Sequence, residues 1–163
     1  MSPKPANLVQ HAVQKIVVRL KVGDDRMSGT DDPVFLRIMG PAGREFRLVL
    51  AHGRSLRRGA EDVFVLGPPD DPETNVAHPE LNDPTRPPLA LDGMESVAIW
   101  KGMEPLPNVR GLGEMDDRLE VDEVEVLVYA PDRAKPARFY RRGPLWLGLI
   151  CGQSFELPPD EPK

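Results

Sequence analysis

Two apolar runs flanking a short polar loop, read from Ile16 to Gly40 as IVVRLKVGDDRMSGTDDPVFLRIMG, constrain the fold of this chain more than any other stretch. Val18, Leu20 and Val22 alternate with Arg19 and Lys21, and Val34, Leu36 and Ile38 alternate around Arg37, which is the period of a half-buried β-strand. Between the runs, Gly23 and Gly29 are candidates for positive φ, while Asp24, Asp25, Ser28, Thr30 and Asp31 can bond neighbouring backbone. The connection is therefore expected to have a defined shape.

The same reading predicts strands at 15–22, 33–40, 44–50, 61–66, 95–101, 119–130, 137–142 and 144–157, the last broken near Gly152. Pro41-Ala42-Gly43 is a tight connection, so the second and third strands are expected to form an antiparallel hairpin. In LEVDEVEVLVYA the alternation slips where Asp122 and Glu123 fall together, which a β-bulge would absorb. No helical period competes, and the 19 prolines argue against long helices. Eight strands with short turns mean an all-β sandwich or barrel. With 163 residues the chain has room for one core, expected over 15–157, with a lead-in at 1–14 and a tail at 158–163. The segment from Gly67 to Gly93 carries seven prolines and few apolar side chains, so it reads as a long loop, disordered, loosely packed over the surface, or docking a partner.

Charge and chemistry narrow the function. Lys and Arg total 21 against 26 Asp and Glu, a formal charge of −5 that disfavours non-specific adsorption to nucleic acid or anionic lipid. No run approaches the length of a membrane span or a signal peptide, so the expectation is a soluble, cytoplasmic protein. The single cysteine, Cys151, follows an apolar run and reads as a buried thiol. His11, His52 and His78 fall in the lead-in or in loops with no nucleophile motif, and the adjacent acids sit in turns, so enzymatic activity is not expected. Two basic clusters stand out, one with Arg54, Arg57 and Arg58 and one with Arg138, Arg141 and Arg142. Either could hold phosphates or carboxylates, or be a solvated face. Trp100, followed by Lys101 and Met103, reads either as a loop-tip indole at a membrane or partner surface or as a side chain buried under the long loop. Trp146, among leucines, is expected in the core.

These motifs in this order resemble a PLAT (LH2) domain, the β-sandwich attached to lipoxygenases, lipases and bacterial phospholipase toxins. The G-x-(4-5)-G-T-D loop and V-x-L-x-I-x-G strand match its opening; Gly59 to Leu66 is similar to its G-x-x-D-x-F-x-L strand; Glu95 to Trp100, Leu119 to Val128 and Pro144 to Leu147 resemble later strands. The likeness spans residues 16–157, departing at the Gly67–Gly93 insertion and at Trp100-Lys101, where a His-Asp pair is common. It implies two antiparallel sheets of roughly four strands each. It also implies a calcium site, of which Gly29, Asp31 and Asp117 keep positions, whereas Met27 stands for an acid and the Leu50–Ser55 loop has lost its carboxylates. Calcium is possible here but not expected to bind tightly. Asp24, Asp25, Asp31 and Asp32 either regroup into a weak site or cap turns. The resulting expectation is a non-catalytic binding module, for a protein partner first and for a lipid or membrane surface as the alternative.

Overall fold

The computed structural model describes residues 11–26, 28–41, 43–102, 118–148 and 152–160. Among these, eight strands form in chain order: β1 Lys15–Val22, β2 Val34–Met39, β3 Arg44–Arg47, β4 Glu61–Leu66, β5 Ser96–Lys101, β6 Leu119–Tyr129, β7 Ala137–Leu147 and β8 Ser154–Leu157. They build two four-stranded sheets, β4-β1-β6-β7 and β3-β2-β5-β8, with every neighbouring pair antiparallel. The expected all-β sandwich is what forms. Ile16, Val18, Leu20, Phe64, Val124, Val126 and Val128 of the first sheet share one core with Leu36, Ile38, Phe46, Val97, Ile99 and Leu157 of the second. Each such side chain contributes about 1.5–3 kcal/mol by leaving water.

The slip in the β6 alternation is a bulge. Lys21 faces Glu123 and Val22 faces Val121, so Asp122 has no partner on β1; on the other side Val121 faces Leu145 and Glu123 faces Arg142. At this kink Gly143 is required by space, since a Cβ there would lie 2.1 Å from the Val121 carbonyl oxygen. The sequence reading ended one strand at 142 and began the next at Pro144, yet β7 runs unbroken through Gly143 because the bulged partner bends with it, and the eighth strand is only Ser154–Leu157. The third strand also ends earlier than expected, at Arg47, and Leu50 instead makes an isolated bridge to Val76.

Residues 67–93 are neither loose nor apolar-poor where it counts. Val76, Leu89 and Leu91 enter the core, and two asparagines fasten the segment to both sheets. Asn75 accepts from Val65 N at 2.8 Å and donates to Val63 O at 2.8 Å along the outer edge of β4. Asn82 accepts from Arg47 N at 2.8 Å and donates to the carbonyls of Ala77 and His78, closing the outer edge of β3. One loop thus covers an edge of each sheet, where unpaired backbone would otherwise invite association.

Candidate functional site

The β1–β2 connection and the 51–60 segment meet at one end of the sandwich. Thr30 N donates to Leu56 O at 3.0 Å, Gly59 N to Gly23 O at 2.9 Å, and Glu120 N to Ser28 O at 2.9 Å. Gly29 is not in the positive-φ region that its sequence position suggested. Its requirement is a close approach, because a Cβ would sit 2.9 Å from both Arg58 N and Leu56 O. This packing brings the first basic cluster onto the loop acids. The Arg57 guanidinium pairs with Asp31 at 3.0 Å, and Arg58 Nε donates to both the carbonyl and the carboxylate of Asp24, at 2.9 and 3.1 Å. Arg54 stays exposed on the neighbouring loop with His52.

Lys101 departs most from expectation. It points inward with Val97 and Ile99, is 1 % exposed, and its Nζ lies 2.5 Å from Asp32 Oδ2, with the Gly102 carbonyl at 3.4 Å. A surface contact for Lys101 is therefore excluded by strand alternation. Met103 and Asp117, which completed the expected contact and metal sets, lie outside the described residues, as do Met27 and Cys151.

These pairings decide whether a calcium ion fits. The carboxylates of Asp24, Asp31 and Asp32 each already face a cationic side chain, and among the described residues no three acidic or histidine groups stand together as metal ligands. Calcium demands six to eight oxygens, so the residues described at this end do not fit it.

Glu120 stands beside these loops. Burial first, then the nearby Asp122 and Asp25 carboxylates, push its pKa above the ordinary value. A raised carboxyl pKa means the folded protein holds this proton more tightly than the unfolded chain, so ionised Glu120 opposes folding at neutral pH and that cost vanishes as pH falls through the folded value. Glu120→Gln is expected to stabilise the protein by about 0.5 kcal/mol at neutral pH, and the gain should disappear in thermal melts below about pH 4.

The second basic cluster is likewise held within the fold. Arg138 pairs with Glu125 at 2.7 Å and contacts Asp160, while Arg141 donates to the Glu156 carbonyl at 3.0 Å and lies over Phe155. Arg142 alone of the three is exposed. Trp146 is not in the core: it is half-buried on the outer face opposite Glu120, under the Arg118 guanidinium.

Trp100 is within β5 and not at a loop tip. It lies on the outer face of the β3-β2-β5-β8 sheet, its ring 5.0 Å from that of Phe35 and 5.1 Å from the Arg37 guanidinium, which is held in turn by Glu45. Next to Phe35 a groove of about 350 Å³ opens between the sheet and residues 77–82. Phe35, Val49, Ala77 and Leu81 give it apolar walls, and Glu45, Arg47 and His78 supply polar groups. Leu81, 71 % exposed, stands on its rim at the end of the short turn Pro79–Leu81 that Asn82 holds down. Sequence reading singled out Trp100 but missed the groove, Phe35 and Leu81, although Phe35 and Trp100 fall at outward positions of their strands. The histidines are dispersed: His11 pairs with Asp132, His52 is on a loop tip, and His78 lies near Glu80.

The fold is that of a PLAT/LH2-like domain. Alpha-toxin from Clostridium absonum superposes with a TM-score of 0.56 at 17 % identity, over 95 % of this chain and 34 % of the toxin. Alpha-toxin from Clostridium perfringens gives 0.56 at 13 % identity, over 92 % of this chain and 32 % of the toxin. The coral 8R-lipoxygenase, whose structure is described as showing calcium activation through a C2-like domain, gives 0.52 at 15 % identity, over 90 % of this chain and 17 % of the enzyme. This chain thus spans between a sixth and about a third of those proteins. No protein-family model matches the sequence, and no curated protein is significantly similar to it.

Proposed function

We propose that this chain is a non-catalytic binding module that takes a protein partner on the outer face of its β3-β2-β5-β8 sheet. The observation that carries the reading is the groove beside the Phe35–Trp100 pair, rimmed by the exposed Leu81 and flanked by the Arg47 side chain. Aromatic and arginine side chains around a desolvated pocket are the elements that dominate protein interfaces. The dispersed histidines and the absorption of Arg57, Arg58, Arg138 and Arg141 into internal contacts favour this face over the two basic clusters.

Capture of a partner on immobilised protein, followed by affinity measurement with Leu81→Asp and Trp100→Ala, tests the reading. Each variant should weaken binding by about 30-fold or more if it removes an interface hot spot. A partner held equally well by both variants would refute it. A lipid surface is the second reading, favoured by the likeness to the toxin and lipoxygenase domains. It requires that vesicles of anionic phospholipid co-sediment the protein and that Trp100→Ala reduce the bound fraction.

A further inference from the structure

The loop end of the sandwich has acids where a sandwich of this kind is expected to hold a metal, and three of them, Asp24, Asp31 and Asp32, are each met by a cation of the chain itself. Asp24 is bound by Arg58, Asp31 by Arg57, and Asp32 by Lys101. The three cations come from two different parts of the chain. Arg57 and Arg58 are carried by the 51–60 segment, whose backbone is tied to the β1–β2 loop through Leu56 and Gly59, whereas Lys101 ends β5 and reaches Asp32 from inside. The guanidinium of Arg58 bonds a backbone carbonyl as well as a carboxylate, the same two kinds of oxygen that a calcium ion would gather.

We infer that these three side chains stand in for a divalent cation, so that the β1–β2 loop is tied down by the chain's own charges and this end of the molecule does not respond to calcium. The inference goes beyond the recognition reading and does not depend on which face a partner uses. A positive charge tethered to the chain cannot diffuse away. Whatever the module binds, calcium would not gate the shape of this loop.

Two measurements on the full chain decide it. The first compares melting temperatures in about 5 mM calcium and in chelator at equal ionic strength, where a site of roughly 50 µM affinity would raise the melting temperature by roughly 5–10 °C. The expected difference is under about 1 °C, within the reach of non-specific screening. A saturating rise would overturn the inference. The second follows trypsin cleavage after Arg26, which is exposed in the β1–β2 loop. Arg57→Gln/Arg58→Gln removes two pairs and should speed this cut by about 2- to 10-fold, the range set by two exposed ion pairs. An unchanged rate would show that the loop needs neither cation, and would equally overturn the inference.

Discussion

Lys101→Met should lower stability by about 3–5 kcal/mol, the cost of leaving one member of a buried ion pair without its partner. The Lys101 side chain is 1 % exposed and that of Asp32 is 11 % exposed, so water can do little to replace the lost ammonium. Methionine keeps the length and most of the volume of the lysine stem. The effect therefore isolates charge from packing. For a chain of this size the melting temperature should fall by roughly 6–20 °C. Asp32→Asn combined with Lys101→Met should restore most of the loss, because an amide is much cheaper to leave in that position than a carboxylate. If Lys101→Met melts like the wild type, the pair is not a structural tie, and the internal-cation account of the loop end loses its strongest member.

Asn82→Ala should cost about 2–3 kcal/mol, since the side chain makes three bonds to backbone in a site that is itself 6 % exposed. Its acceptor oxygen meets Arg47 N on the outer edge of β3, and its amide nitrogen meets two carbonyls of the preceding turn. Removing it leaves the β3 donor without its partner and takes one bond from each of the Ala77 and His78 carbonyls, of which His78 keeps that from Leu81 N. Asn82→Asp should fare no better, because a carboxylate would face the carbonyls of Ala77 and His78 with no hydrogen to offer. Chemical denaturation gives the stability loss. Binding to a captured partner should weaken in parallel, because the turn that Asn82 secures carries Leu81 to the groove rim.

The strands were largely legible because alternation reports which side of a ribbon meets the core. Even the bulge at Asp122 appeared as two adjacent polar residues in β6. Lys101 was legible by the same rule: counting inward positions through Val97 and Ile99 reaches it, although its neighbourhood with Trp100 suggested a surface. The long loop was not, because what orders it is a pair of asparagines bonding backbone 10 and 35 residues away, which composition does not register. Nor was the fate of the basic clusters. Arg58 and Asp24 are 34 residues apart, and their pairing exists only once β1 and β4 lie side by side. The groove of the proposed recognition face was invisible for a related reason, although Trp100 beside it stood out. That groove lies between a sheet and a loop, and only the sheet half has a period to read.

The most direct test of where recognition occurs is oxidative footprinting of the protein alone and with whichever partner or vesicle it retains. Binding should shield Phe35, Trp100 and Leu81 and leave His52 and the β1–β2 loop as reactive as before. Protection confined to His52 and residues 23–33, with Trp100 and Leu81 still fully oxidised, would contradict the account and move the binding surface to the loop end of the sandwich.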